Sequence, residues 1–291
     1  MTDSIQLVVV DLDGTLLNAE HLVTERAEQA IRAAREHGIK VMLATGKTRS
    51  SALKVIEQLK LDTPGIFVQG FVVHDADGSI RHQVTLDPAI ARQVITFAED
   101  RGFSLIAYSG TTTYVRARDY NTNLVVEYGE PESQVVGPLQ NILDTTRINK
   151  LAIIDRSDPR RVKAVRWQLN MQLNGSARLV QPAVPEMVEV LPKGGSKGAA
   201  LKVILHDLHL SPSQVMAIGD GENDIEMLQF AGTGVAVANA EPILKRVADY
   251  VTTASYGDGV AEAIERFALK TETQPNEPET QPTAEREVES S

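Results

Sequence analysis

Apolar positions along this chain fall first into short buried runs that alternate with helical stripes. Residues 5–10 form a short run rich in β-branched side chains and bounded by polar ones. Such a run predicts a strand covered on both faces, as in a parallel sheet. Over 24–37, Ala27, Ala30, Ile31 and Ala34 recur at helical spacing, and Gly38 marks the helix end. A second buried strand is expected over 39–44, a second amphipathic helix over 50–61 and a third strand over 65–73. Strands and helices alternating across short links predict an α/β fold with a doubly wound, Rossmann-like parallel sheet. Asp75-Ala76-Asp77-Gly78 then reads as a tight turn.

The pattern changes beyond residue 82. Asp87-Pro88 is a cap followed by proline at the first helical position, and the helix is expected to run to 101. Strands are expected over 103–108 and 113–118, joined through Ser109-Gly110, and again over 150–155, 178–182 and 187–191. A helix starts at Asp158-Pro159 and ends near Asn174-Gly175, while 121–148 is weakly patterned. The α/β pattern then resumes. Helices are expected over 198–208, 225–231, 241–248 and 259–268, strands over 215–218, 234–237 and 250–251. Ser211-Pro212-Ser213-Gln214 has a capping-box arrangement. The expected organisation is a core in two parts, 1–82 and 191–270, with an inserted α+β domain over 83–190. Linkers are expected near 82–86 and 188–193.

Composition narrows the class. The chain has 291 residues, 42% hydrophobic and 23% charged, with a formal net charge of −10. That balance argues against nucleic acid as the main partner, because phosphate backbones attract basic surfaces. Half of the charge lies in residues 271–291, which hold six Glu against one Arg and read as a disordered acidic tail. The absence of cysteine excludes disulfides, thiolate metal sites and cysteine nucleophiles. The start of the chain lacks a basic region followed by an apolar stretch, and no run reaches the ~20 apolar residues of a membrane span. The expectation is a soluble cytoplasmic protein without a membrane partner.

Four candidate sites follow the expected core strands. Asp11 and Asp13 come straight after the first strand, two apart, so in extended chain both carboxylates face one site, and Gly14 allows a sharp turn over it. Two such carboxylates repel unless a cation intervenes. Thr45 follows the second strand; its hydroxyl and the amides beyond it can hold a phosphate oxygen or cap the next helix. Lys197 precedes a helix in a glycine-rich loop, where the macrodipole favours anions, so a phosphate or a carboxylate beside it would account for the placement. Residues 220–224, Asp-Gly-Glu-Asn-Asp, place three carboxylates after another buried strand. Mg2+ takes about six oxygen ligands and keeps several waters, and Asp11, Asp13 and Asp220 can supply the protein share. Asp224 can serve there or cap the helix it precedes. A calcium loop fails at Thr15, and no nucleotide-binding glycine–lysine loop or paired-histidine metal motif is present.

Taken in order, these four sites resemble the four motifs of the haloacid dehalogenase superfamily of phosphohydrolases. Asp11-Leu12-Asp13-Gly14-Thr15-Leu16 resembles the first, Thr45 the second, Lys197 the third, and Gly219-Asp220 with Asn223-Asp224 the fourth. Gly219 through Leu228, Val235-Ala236-Val237-Ala238-Asn239-Ala240 and Ala248-Asp249-Tyr250-Val251-Thr252 are similar to the Cof-type subgroup, as is the size of the insertion, which corresponds to that subgroup's cap. The resemblance covers 5–268. It implies a phosphatase acting on small phosphorylated metabolites, with Asp11 as nucleophile and Asp13 as general acid and base. It also implies Mg2+ held by Asp11, Asp13 through its backbone carbonyl, and Asp220, with Asp224 in the metal shell or against Lys197. Thr45, Gly46, Lys197 and Asn223 would bind phosphate. Lys47 stands where the subgroup has arginine, and Gln69-Gly70-Phe71 where it has Asn-Gly-Ala; both departures bear on substrate preference. A phosphomutase or phosphotransferase with the same aspartyl-phosphate, or a non-catalytic binding module, are the alternatives.

Overall fold

The computed structural model describes residues 4–182 and 184–270; the acidic stretch 271–291, expected as a tail, lies outside them. Leu7–Val10 forms β1, with all four side chains buried. It runs between two parallel neighbours, so both faces are covered, and a continuous aliphatic run satisfies that. Thr24 caps α1 (Glu25–Glu36), accepting from the Ala27 amide at 3.3 Å, and Ala27, Ala30, Ile31 and Ala34 are its buried stripe. β2 (Lys40–Leu43) pairs in parallel with β1, and α2 (Arg49–Gln58) follows with Thr48 as its cap.

The run 65–73, expected as one strand, breaks in the middle. β3 (Gly65–Phe67) meets the parallel sheet through a bridge from Ile66 to Ala44. Val68 and Gln69 then take φ of 51° and 61°, and Gly70 follows at 92°. The chain reverses into β4 (Val72–His74) and β5 (Ile80–Gln83), which form with β3 an antiparallel sheet of three strands. Positive φ at β-branched Val68 is strained. The reversal brings Gly70 close to a distant backbone, where a Cβ would fall on the carbonyl group of Ser196. The apolar pattern predicts one strand, and the three consecutive positive φ values at Val68, Gln69 and Gly70 break it into two.

The insertion carries α3 (Pro88–Glu99), β6 (Ser104–Ser109), β7 (Thr112–Val115), α4 (Leu124–Glu127), β8 (Gln134–Val135), β9 (Lys150–Ile154), α5 (Pro159–Leu173), β10 (Arg178–Val180) and β11 (Met187–Leu191). Asp87 and Asp158 cap α3 and α5, each followed by proline. The strands form one six-stranded sheet in the order β10-β11-β9-β6-β7-β8. One face packs on α3 and α5 through Val94, Ile95, Val162 and Leu169. On the other face Ile106, Tyr108, Ala152 and Ile154 join the apolar cluster of the core.

The core then closes with α6 (Lys197–Leu208), β12 (Val215–Gly219), α7 (Ile225–Phe230), β13 (Thr233–Ala236), α8 (Pro242–Lys245), β14 (Tyr250–Val251) and α9 (Tyr256–Ala263). α9 starts before the expected position at 259, and its continuation, Ile264–Ala268, widens into a π turn. The five-stranded sheet has the order β14-β13-β12-β1-β2, and every pairing in it is parallel. Because β1 and β12 are neighbours in register from Leu7↔Val215 to Val10↔Ile218, the loops leaving their carboxyl ends meet. Among the described residues no helix is long and apolar enough to cross a membrane.

Candidate active site

Asp11 prolongs β1 by one pairing, its amide donating to the Ile218 carbonyl at 2.9 Å, and its side chain is buried. The chain then turns at Gly14, with φ of 82°. A Cβ here would overlap the Asp220 carboxylate, so glycine is required for two reasons at once. Asp220 leaves the end of β12 and accepts from the Thr15 hydroxyl at 2.8 Å. Asn239, beyond β13, donates to the Gly14 carbonyl at 2.8 Å and holds the loop from the other side.

Lys197 is the first residue of α6, placed by its cap Ser196, whose hydroxyl accepts from the Ala199 amide at 3.0 Å. The lysine is fully buried, and its Nζ donates to Asp11 Oδ1 and, at 2.7 Å, to Asp224 Oδ1. The unfavourable end of a helix dipole is thus compensated by two carboxylates. Asp224 Oδ2 accepts from the amides of Asp220 and Gly221, both at 3.1 Å, which closes the short turn Glu222–Asp224. Asp224 therefore both caps its own turn and binds Lys197.

Burial pushes the Asp11 and Asp224 carboxyls up to about 6 against the pull of Lys197. Asp220 is also raised, again by burial first. Burial alone would lower the Lys197 ammonium, but Asp11 and Asp224 hold it above the ordinary lysine range. Asp11, Asp220 and Asp224 each offer an oxygen within 4.8 Å of the others. Three acids around one lysine leave the cluster short of positive charge, and a divalent cation fits that deficit. Asp224 already uses both oxygens, whereas Asp11 meets Lys197, Asp220 meets Thr15, and the two carboxyls lie within hydrogen-bonding reach of each other.

The Asp13 carboxylate is outside this cluster. Its Oδ1 accepts from Lys47 Nζ at 2.7 Å, and the side chain is 38% exposed. Thr45 is buried beside it in sequence from Lys47; its hydroxyl accepts from the Lys47 amide at 3.1 Å. Gly46 faces Gln69, where a Cβ would lie 2.7 Å from the Gln69 amide nitrogen, and Gln69 Oε1 accepts from Asn223 Nδ2 at 3.0 Å. The structure thus gathers Asp11, Lys197, Asp220 and Asp224 directly. Thr45 and Gly46 connect to Asn223 through Gln69. Lys47 and Gln69 entered the sequence reading only as departures from a pattern, and Thr15 and Asn239 not as site residues.

The chain belongs to the haloacid dehalogenase-like hydrolases, whose sequence profile matches residues 8–264, and within them to the Cof-type phosphatases. It is 33% identical over 272 residues to a chloroplastic endoribonuclease YBEY of Arabidopsis thaliana. That match takes in 90% of this chain but 46% of the plant protein, so the chain spans under half of that relative. It is 29% identical over 265 residues to the 5-amino-6-(5-phospho-D-ribitylamino)uracil phosphatase YcsE of Bacillus subtilis, covering 91% of this chain and 96% of that one. Among solved structures, a haloacid dehalogenase-like hydrolase from Bacteroides thetaiotaomicron superposes with a TM-score of 0.82 at 27% identity, over 90% of this chain and 99% of the other.

Proposed function

We propose that this phosphatase hydrolyses small phosphate monoesters with Mg2+, through a phosphoryl-aspartate formed on Asp11. The observation that carries the reading is the position of Asp11: buried at the end of β1, an interior strand of the parallel sheet, with one oxygen fixed by Lys197 and Asp220 beside it. The other Asp11 oxygen attacks phosphorus, and the bond to the leaving oxygen breaks. Asp13, steadied by Lys47, gives that oxygen a proton. It then takes a proton from the water that attacks the phosphoryl group and frees Asp11 with inorganic phosphate. Lys197, Thr45, Gly46 and Asn223 hold phosphoryl oxygens. Asp11, Asp220 and the Asp13 carbonyl would hold the cation, with Asp224 behind them. When bound, it neutralises charge between the carboxylate and the phosphoryl oxygens.

The insertion over 83–190 serves as the lid that excludes water and reads the leaving group. A cavity of about 390 Å³ lies between its sheet and the core, with Arg178 and Glu189 on one side and Lys197 and Asn223 on the other. That volume suits a metabolite, and the Bacillus subtilis relative is named for such a substrate. The test is phosphate release from p-nitrophenyl phosphate with and without Mg2+, for the wild type and Asp11→Asn. Release that depends on Mg2+ and vanishes in the variant supports the mechanism. Release that survives Asp11→Asn would remove Asp11 as nucleophile.

A further inference from the structure

We propose that Glu130 of the inserted domain is a positioning residue, whose carboxylate clasps the start of α2 and so couples the seating of the lid to the geometry of the phosphate loop. The second half of that statement rests on the reading of Thr45 and Gly46 as phosphate-binding. Glu130 follows α4 and is 7% exposed. Its Oε1 accepts from the Thr48 amide at 2.9 Å, and its Oε2 accepts from the Thr48 hydroxyl at 2.6 Å and the Ser51 hydroxyl at 2.5 Å. Thr48 is the cap of α2, so the lid supplies an acceptor that the first turn of a core helix would otherwise lack.

A buried carboxylate is costly unless its charge is compensated. Among the described residues no lysine or arginine bonds to Glu130. Lys150 lies close enough only to feel its charge. Compensation comes from the three donors and the positive end of the α2 dipole, and it exists only while the lid is seated.

The neighbouring residues extend the contact. Gly129, at φ of 87°, lies against Lys47, where a Cβ would come within 3.3 Å of Nζ. The same Nζ holds Asp13 at 2.7 Å. The Lys47 carbonyl accepts from the Val68 amide at 2.8 Å. Two consecutive lid residues therefore meet two consecutive core residues, which directly follow Thr45-Gly46. A further lid contact, from the Ser50 hydroxyl to the Thr111 carbonyl at 3.0 Å, lies on the same helix turn. Lifting the lid removes acceptors from Thr48 and Ser51 and frees one side of Lys47. Coupling of this kind is reciprocal: a phosphate oxygen seated at Thr45-Gly46 favours the clasped lid, and the clasp favours phosphate.

The test compares wild type, Glu130→Ala, Glu130→Gln and Ser51→Ala in the full chain. It reads amide hydrogen exchange over residues 45–51, small-angle scattering, and the affinity for inorganic phosphate. In Glu130→Ala, exchange over 45–51 should rise about tenfold or more, phosphate should bind about tenfold more weakly, and the scattering radius should grow. Glu130→Gln should recover most of the exchange protection, because its amide oxygen still accepts from Thr48. A uniform rise in exchange across both domains, without rescue by glutamine, would reduce Glu130 to general structural support and overturn the proposal. So would unchanged exchange over 45–51 in folded Glu130→Ala, or phosphate bound equally well or more tightly. Should Glu130→Ala not fold, Ser51→Ala removes one donor from the core side. A severalfold rise over 45–51 is then expected, and no rise counts against the clasp. Exchange and scattering need no turnover, so a wild type without phosphate release would fail the hydrolase reading separately.

Discussion

Asp11 and Asp224 share one ammonium group, and burial keeps both carboxyls well above their ordinary value, at about 6. A carboxyl whose folded value exceeds its unfolded one binds more protons in the folded state between the two, so its contribution to stability falls as pH rises. The window runs from the ordinary aspartate value of 3.8 to about 6. In a chelator, the wild type should therefore lose stability relative to Asp11→Asn as pH goes from about 4 to 7, by about 1–3 kcal/mol. Urea unfolding of both proteins across that range measures the difference, in which groups distant from Asp11 cancel while Asp224 and Lys197, which feel its charge, respond with it. A flat difference would mean that Asp11 titrates normally. Lys197→Met is the harsher change. It leaves two buried carboxylates without their cation, with an expected cost of about 3–5 kcal/mol and loss of phosphate release. The acidic residues and Lys197 were legible in the sequence because each is anomalous locally, a charge set at the end of an apolar strand or the start of a helix. Asn239 and Glu130 were not legible, because an amide or a glutamate in a polar loop is unremarkable until the fold shows what it touches.

At the scale of elements, local signals and distant contacts part ways. Thr24, Asp87 and Asp158 cap the helices that their side chains announce, because capping involves a few neighbouring residues. The reversal between β3 and β4 instead sets Gly70 against the backbone at Ser196, a neighbour that the apolar pattern of 65–73 does not reveal. The reversal matters because it presents Gln69 to Gly46 and Asn223, while Gly70 makes room for the residue that caps α6. Gly70→Ala combines a disfavoured φ with a backbone overlap. It should destabilise by about 2–4 kcal/mol. Because relief requires Ser196 to move, Lys197 should move with it. We expect phosphate release to fall in protein that is still folded, measured beside urea unfolding. A variant that loses stability but keeps full turnover would separate the reversal from the site. Ser196→Ala probes the same helix start more gently, with an expected cost of about 1 kcal/mol.

For the molecule as a whole, the switch from parallel α/β to α+β and back is visible in the sequence pattern, but the surface where the two parts meet is not. That surface is the inner face of the six-stranded sheet, which contributes Ile106, Tyr108, Ala152 and Ile154 to the apolar cluster of the core. Set into it is an ion pair, Lys150 to Glu189 at 2.7 Å, with both residues 4% exposed and the ammonium 4.1 Å from the Tyr108 ring centre. Burial alone would lower the Lys150 ammonium, but Glu189, with Tyr108 and Glu130 adding to it, holds it above the ordinary lysine range. Such a pair adds little net stability over apolar residues of the same size, yet breaking it strands a charge. Glu189→Leu alone should therefore cost about 3–5 kcal/mol, while Lys150→Met with Glu189→Leu should recover most of that loss. Equal costs for the single and double variants in urea unfolding would show that Lys150 finds another partner. Glu189 also borders the cavity above Lys197 and Asn223. The stable double variant should thus keep hydrolysing p-nitrophenyl phosphate while its ranking of larger phosphate monoesters shifts. An unchanged ranking would mean that the ion pair builds the roof of the cleft without reading what lies beneath it.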